Sequence, residues 1–157
     1  MAWSSSAPGL VGDADVERVL GTHTLPVSCE ADVIVVRRAV RDLAEAHGFD
    51  VFATAAITTA TSELSRNVLT HGGGGSTTIE EVEQGGRRGL RISFVDEGPG
   101  IKDIELALSG GYSTRRSLGL GLSGSRRLVD DFELQSEPGV GTRVRITKWT
   151  RYSRRSA

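Results

Sequence analysis

The feature that most restricts the fold of this 157-residue chain is a predicted strand followed directly by an acidic turn with two glycines. Apolar and polar side chains alternate from Leu90 to Val95, which is the pattern of a strand with one apolar face. The strand ends at Asp96, and Gly98 and Gly100 follow on either side of a proline. Glycine lets the backbone turn sharply or lie against a ligand, and proline stiffens the turn. The same pattern is equally typical of an ordinary tight turn, so its interpretation depends on other stretches.

A long helical pattern over residues 51–70 carries the second feature. Glu63 and Asn67 are four residues apart and therefore project from one face of the helix. They extend a row of alanines, and small side chains allow close approach of another group. A solvated helix face would tolerate the same polar pair, but the alanine row favours the edge of a cavity. A glycine-spaced run at residues 118–124 opens another helical pattern, and backbone amides at a helix start bind phosphate.

The order of the predicted elements indicates an α+β fold. A strand is followed by two helices, two strands, a short helix with a polar loop, a helix and two strands, which predicts a two-layer α/β sandwich. Its sheet is expected to be mixed, mostly antiparallel, with the helices on one face. Asp50 is the expected N-cap of the second helix, and Ser28 or Asp32 that of the first. The predicted strands are residues 22–27, 76–83, 90–96, 132–137 and 142–150, and the predicted helices are residues 33–47, 51–70, 103–108 and 121–130.

Length and composition indicate one domain. The chain is long enough for a single core and too short for two, and its net charge of −1 gives no overall field that would attract nucleic acid or a membrane. Cys29 is the only cysteine, so no internal disulfide is possible and a reducing cytoplasm is expected. No signal peptide or membrane-spanning run is predicted. We expect a disordered leader at residues 1–21, one domain at residues 22–151 and a frayed basic tail at residues 152–157.

The motifs together resemble the GHKL ATPase superfamily, which includes gyrase, Hsp90-type chaperones, histidine kinases and MutL. The resemblance depends on Glu-x-x-x-Asn in a helix, Asp-x-Gly-x-Gly after a strand, Gly-x-Gly-Leu at a helix start and Gly-x-Gly-Thr before the last strand. These motifs stand at residues 63–67, 96–100, 119–122 and 139–142. Each alone is common, but the set in this order is specific. Residues 22–151 are most similar to the small serine/threonine kinases of bacterial partner-switching systems, the RsbT type of the stressosome.

The resemblance implies a role for each matched residue. Glu63 would be the general base that accepts the proton of a serine or threonine hydroxyl, and Asn67 would be the Mg²⁺ ligand beside the phosphates of ATP. Asp96, assisted by Thr142, would accept a hydrogen bond from the adenine amino group. The other nucleotide-binding residues that the resemblance implies are Arg66, Gly98, Gly100, Ile101, Ser113, Thr114, Gly119, Leu120, Gly121 and Leu122. Phosphoryl transfer needs mainly placement and charge stabilisation, which Mg²⁺ and helix-end amides supply.

The resemblance also implies partners and leaves alternatives open. The implied substrate is a STAS-domain antagonist similar to RsbS, and the implied further partners are a STAS-domain scaffold and a PP2C-type phosphatase that the released kinase activates. An anti-sigma factor of the RsbW type is the alternative, because it would share the fold and the pocket. A detached histidine-kinase catalytic domain is less favoured, since no histidine of the chain stands in a phosphoacceptor context. Residues 115–117, Arg-Arg-Ser, depart from the glycine-rich lid of RsbT-like chains, which leaves lid closure and partner contact open.

Overall fold

The computed structural model describes residues 16–109 and 121–151, which form five strands and four helices. In chain order the elements are β1 (Arg18–Val27), α1 (Glu30–Ala46), α2 (Val51–Thr70), β2 (Gly75–Gln84), β3 (Arg87–Asp96), α3 (Ile104–Leu108), α4 (Gly121–Arg127), β4 (Asp131–Glu137) and β5 (Gly141–Trp149). This order is the one that the sequence predicts. The polar loop predicted between α3 and α4 lies, apart from its first residue, outside the described residues.

The two long helices begin at different kinds of cap. The Asp50 carboxylate accepts a hydrogen bond from the Ala53 amide at 2.7 Å and so caps α2, as predicted. The N-cap of α1 is Cys29, whose side chain makes no capping bond, so neither Ser28 nor Asp32 holds that position. The backbone stays extended at Cys29, which places Asp32 in the first helical turn. Its carboxylate reaches back and accepts a hydrogen bond from the Ser28 amide at 2.8 Å.

One apolar cluster packs both long helices against one face of the sheet. In α1 the buried residues recur every three or four positions, which places them on one side of the helix. Each fully buried side chain of this size stabilises the fold by about 1.5–3 kcal/mol, whereas an exposed ion pair contributes about 0–1 kcal/mol. The helices are therefore held mainly by this cluster. Its members include Val33, Val36, Val40, Ile57, Ala60, Leu64, Val68, Ile79, Leu90, Ile92, Phe94, Val144 and Ile146.

The sheet has the strand order β1-β2-β3-β5-β4, and every pairing among the described strands is antiparallel. The predicted parallel component of a mixed sheet is not found in this part of the chain. The hairpin between β2 and β3 is confirmed, but its turn consists only of Gly85 and Gly86, both with positive φ (59° and 76°). Such a turn matches the twist of the two strands, so Arg87 and Arg88 join β3 instead of the predicted loop.

The start of β1 and the end of α4 also differ from the predicted ones. β1 begins at Arg18 rather than at residue 22, because residues from Arg18 onward pair with β2 across a bulge near Val19. Arg18 also forms an ion pair with Glu83, so this part of the predicted leader belongs to the sheet. α4 ends at Arg127 rather than at residue 130, since the Asp130 amide already donates to the Thr147 carbonyl at 3.0 Å and leads into β4.

The carboxylate of Glu81 on β2 connects β1, β2 and the end of α1, at a place remote from the cavity described below. Glu81 Oε2 lies 2.9 Å from His23 Nε2 of β1, and Glu81 Oε1 lies 2.6 Å from His47 Nε2 at the end of α1. The hydrogen bonds with His23 and His47 lower the pKa of Glu81 below its ordinary value of 4.5, although desolvation acts in the opposite direction. The ionised carboxylate thus joins a strand edge, a helix end and the sheet.

Candidate functional site

A cavity of about 870 Å³, including its open mouth, lies where the C-terminal half of α2 meets the end of β3 and the start of β5. Its floor is apolar, because Leu64 and Val68 of α2, Phe94 of β3 and Val144 of β5 all face it from the core. The loop after β3, α3 and the start of α4 complete the wall. An apolar cleft with a few polar groups at its rim is the usual form of a small-molecule site.

Asp96 is the buried carboxylate of this cavity. It is the last residue of β3, is 9% exposed, and its Oδ1 accepts a hydrogen bond from the Gly98 amide at 2.9 Å. Burial raises the pKa of Asp96 above its ordinary value of 3.8, while hydrogen bonds from the Gly98 and Thr142 backbones act in the opposite direction. Because its backbone pairs with Gly75 on one side and Thr142 on the other, the carboxylate is fixed as an acceptor at the cavity wall.

The end of α2 reaches Asp96 only because two side chains are missing. A Cβ on Gly72, just after α2, would fall on the Asp96 side chain. A Cβ on Gly98 would lie 2.7 Å from the Gly72 Cα, closer than real Cβ atoms come, and 3.0 Å from the His71 carbonyl oxygen. Gly98 therefore allows helix and loop to approach each other, and it does not itself line the cavity.

A serine on β4 ties the loop after β3 to the neighbouring hairpin. Ser136 Oγ accepts a hydrogen bond from the Ile101 amide at 2.7 Å. The same hydroxyl lies 2.8 Å from Thr142 Oγ1 and donates to the Gly141 carbonyl at 3.1 Å. Ile101 and Thr142 both line the cavity, so Ser136 sets the distance between two of its walls.

Of the two polar residues predicted on α2, Asn67 lines the cavity and Glu63 lies beside it. Glu63, one turn earlier, does not line it; its side chain is 15% exposed, with Oε1 3.5 Å from Arg66 Nη1. The Arg66 side chain is 53% exposed, and an ion pair this open adds little stability.

The structure brings together half of the predicted site. Glu63, Arg66 and Gly98 lie beside the cavity without lining it, and Ser113, Thr114, Gly119 and Leu120 lie outside the described residues. The predicted residues that line the cavity are Asn67, Asp96, Gly100, Ile101, Gly121, Leu122 and Thr142.

Sequence reasoning missed the apolar floor and one polar wall. The floor residues carry the periodicity of core positions, and only their spacing next to Asn67 and Asp96 could have indicated a second role. His71 also lines the cavity, although its sequence context indicates only a helix end. The lining residues that were not predicted as site residues are Leu64, Val68, His71, Phe94, Pro99, Ala107 and Val144.

The sequence profile of the histidine kinase-, DNA gyrase B-, and HSP90-like ATPase family matches residues 53–151. The chain belongs to this family. The matched region runs from α2 through β5 and contains every residue that lines the cavity. Family membership confirms the predicted superfamily and its α+β fold, and it implies use of ATP.

Two curated relatives of this family member represent two kinds of protein. The serine/threonine-protein kinase RsbT of Bacillus subtilis (strain 168) is 42% identical over 125 residues, which cover 80% of this chain and 94% of RsbT. The anti-sigma F factor of Thermoanaerobacter sp. (strain X514) is 38% identical over 99 residues, which cover 59% of this chain and 68% of that factor. The longer match to RsbT confirms the prediction of a serine/threonine kinase of the partner-switching type.

Solved structures share the fold of this ATPase-family chain at low identity. The RsbU and RsbW domains of Rv1364c from Mycobacterium tuberculosis superpose with a TM-score of 0.58 at 20% identity, covering 87% of this chain and 35% of that one. A chain of the SiaB-SiaC complex from Pseudomonas aeruginosa superposes with a TM-score of 0.50 at 15% identity, covering 84% and 91% of the two chains. In the described part of the protein, no helix has the length and apolarity needed to cross a membrane.

Proposed function

We propose that this kinase transfers the γ-phosphoryl group of ATP to a serine or threonine of a STAS-domain antagonist similar to RsbS. The observation that carries the proposal is the cavity in which Asn67 and Asp96 meet an apolar floor, within the region similar to RsbT. Two further partners, a STAS-domain scaffold and a PP2C-type phosphatase that the released kinase activates, belong to the same proposal. So does a cytoplasmic location, where ATP and such partners are available.

The adenine base would lie on the apolar floor, with its amino group donating to the Asp96 carboxylate. The Asp96 carboxylate accepts hydrogen bonds from the Gly98 and Thr142 backbones, and its two oxygens have about four lone-pair sites, so it retains capacity to accept a further hydrogen bond. Thr142, Gly100 and Ile101 would complete this end of the site. Gly121 and Leu122 at the start of α4 would contact the phosphates, together with Ser113, Thr114, Gly119 and Leu120.

Mg²⁺ would arrive with the nucleotide. Among residues 16–109 and 121–151, no group of three or more His, Cys, Asp or Glu side chains could hold a metal ion by itself. Mg²⁺ commonly keeps several waters and takes its other ligands from substrate phosphates, so the single amide oxygen of Asn67 fits such an ion. The ion would neutralise charge on the phosphates during transfer.

Glu63 would act as the general base. Its carboxylate would accept the hydroxyl proton while the hydroxyl oxygen bonds to the γ-phosphorus and the bond from that phosphorus to the ADP oxygen breaks. Arg66, 3.5 Å from Glu63, would hold the carboxylate toward the incoming hydroxyl. The position of Glu63 just outside the nucleotide cavity is consistent with a residue that faces the substrate protein rather than ATP.

A transfer assay tests the proposal. Labelled ATP and Mg²⁺ are incubated with the purified protein and the STAS-domain proteins encoded nearest its gene. Glu63→Gln is expected to lower the transfer rate about a hundredfold or more, as loss of a general base does, while ATP affinity is unchanged. Glu45→Gln, on the surface of α1, is the matched control and should transfer at the wild-type rate. Transfer by Glu63→Gln at the wild-type rate would exclude Glu63 as the base.

An anti-sigma function is the second candidate, and the similarity to the anti-sigma F factor favours it. The same assay separates the two. Tight ATP binding without phosphate transfer to any STAS-domain protein, combined with co-purification of a sigma subunit, would support the anti-sigma function and contradict the proposed kinase substrate.

A further inference from the structure

A second groove lies at the opposite end of α2 from the nucleotide cavity. It runs between the start of α2 and the C-terminal ends of α4 and β5, and encloses about 820 Å³ including its open side. We propose that this groove binds an acidic segment of a protein partner that carries an apolar anchor. The proposal does not depend on the kinase reaction. The residues that carry it are Phe52, Arg87, Arg127, Lys148, Trp149 and Arg151.

The apolar part of the groove is an unusually exposed aromatic ring. Phe52 is 84% exposed and the adjacent Val51 is 81% exposed, the two most exposed large apolar residues of the described chain. Isolated exposed apolar residues are common and need no explanation, but Phe52 borders a concave surface together with Trp149. Aromatic side chains at the centre of a groove are typical anchors of protein interfaces.

The charged part of the groove is positive and unpaired. Within the described residues, neither Arg87, Arg127, Lys148 nor Arg151 forms an ion pair. Two of these cations are held in place by backbone carbonyls: Arg87 Nε donates to Thr150 at 2.7 Å, and Lys148 Nζ donates to Leu128 at 3.1 Å. Their direction is thus fixed before any partner arrives, which lowers the entropy cost of binding.

The two carboxylates of the groove, Asp50 and Asp130, offset only part of the charge of its four cations. Asp50 accepts a hydrogen bond from the Ala53 amide at 2.7 Å, and Asp130 Oδ2 accepts one from the Trp149 amide at 2.8 Å. Both are therefore hydrogen-bonded to the backbone, and neither forms an ion pair within the described residues. The groove keeps an excess of positive charge, which is complementary to an acidic segment.

Overall charge favours a protein segment over nucleic acid. The whole chain has a net charge of −1 and a pI of about 6.3, whereas nucleic-acid-binding domains usually carry an overall positive surface. The groove is also distant from the nucleotide: no residue lines both cavities, and Ala53 and Asn67 are separated by about 21 Å along α2. A partner in the groove would leave the nucleotide cavity open.

Fluorescence anisotropy with defined probes tests the proposal. The probe is a labelled peptide in which aspartates and glutamates flank a central Leu-Phe pair; the same peptide with asparagine and glutamine is the control probe. Wild-type protein is expected to bind the acidic probe about tenfold or more tightly than the control, with affinity falling as salt rises. Phe52→Ala and Arg127→Glu should each weaken binding of the acidic probe about tenfold.

Matched variants on α1 control for general effects. Ile34→Ala removes another exposed apolar side chain and Arg38→Glu reverses another exposed arginine, and both should bind the probe as wild type does. ATP affinity should be unchanged in all four variants, which shows that they fold. Equal binding of both probes, wild-type affinity in Phe52→Ala and Arg127→Glu, or tighter binding of single-stranded DNA than of the acidic probe would each overturn the proposal.

Discussion

At the scale of single residues, Asp96 is held almost out of water. The residue is 9% exposed, its carboxylate accepts hydrogen bonds from the Gly98 and Thr142 backbones, and burial raises its pKa above the ordinary value of 3.8. Ionisation of such a group costs more in the folded protein than in the unfolded chain. Asp96 therefore lowers the free energy of unfolding at neutral pH. The ionised carboxylate contributes to ATP binding in the proposed function, and not to the stability of the fold.

Asp96→Asn separates these two effects. The amide keeps an acceptor for Gly98 but replaces the carboxylate that would accept from adenine, so ATP affinity should fall about tenfold or more, as expected for a hydrogen bond to a charged group. The free energy of unfolding at neutral pH should stay the same or rise, because the desolvated charge is gone. Isothermal titration and denaturant unfolding measure the two quantities, with the exposed Asp131→Asn as control.

The raised pKa of Asp96 also predicts how ATP affinity depends on pH. Wild-type ATP affinity should fall as pH decreases through the raised pKa of Asp96, hence at a higher pH than a freely exposed aspartate would give. Asp96→Asn should lack this step. If the variant retained wild-type ATP affinity, or if its affinity showed the same pH step, Asp96 would not be the adenine acceptor.

At the scale of elements, the cavity depends on how the β4–β5 hairpin is tied to the loop after β3. Ser136 makes this tie through the Ile101 amide at 2.7 Å and Thr142 Oγ1 at 2.8 Å. Ser136→Ala would leave a partly buried amide without its acceptor, which costs about 1–3 kcal/mol locally. We expect faster hydrogen exchange at the Ile101 amide and a several-fold loss of ATP affinity.

The matched control for this prediction is Gln135→Ala, on the exposed side of the same strand. It should leave both the exchange rate and the ATP affinity unchanged. Unchanged exchange at Ile101 in Ser136→Ala would show that the loop is fixed by other contacts.

The sequence predicts the helices, strands and motifs better than it predicts the tertiary contacts between them. Alternation along β3 and the spacing of Glu63 and Asn67 are local patterns, and the structure bears out the strand and the helix. Ser136 could not be predicted as a wall residue, because its partners reach it from two other segments of the chain. The close approach of α2 to Asp96 could not be predicted either, because it depends on tertiary packing. The sequence shows Gly98 as one glycine among many and does not indicate that it contacts the backbone of Gly72.

At the scale of the whole molecule, Glu81 connects β1, β2 and the end of α1. Hydrogen bonds with His23 and His47 hold its pKa below 4.5. A carboxylate with a lowered folded-state pKa stabilises the protein fully above the unfolded value, and this stabilisation disappears as pH falls through the folded value. Stability that depends on Glu81 should therefore be present at neutral pH and decline below about pH 4.5.

Glu81→Gln checks this expectation. Its free energy of unfolding should be lower than that of wild type at neutral pH, and the difference should shrink below pH 4.5, where the wild-type carboxylate becomes protonated. Urea unfolding at a series of pH values gives the comparison, and Glu45→Gln on the surface of α1 serves as control. A difference that is constant with pH would mean that Glu81 acts through packing rather than charge.

The contact between Gly72 and Gly98 also limits how this protein can evolve. Most core contacts can drift, because an enlargement at one position is compensated by a reduction at the other. Here neither partner can become smaller, and the space next to Gly72 already holds the Asp96 side chain. A lineage that acquires a side chain at Gly72 must displace the carboxylate, and one that acquires it at Gly98 must separate the helix from the loop. This corner of the cavity can therefore be lost in a single mutational step, but no second substitution at its neighbour can restore it.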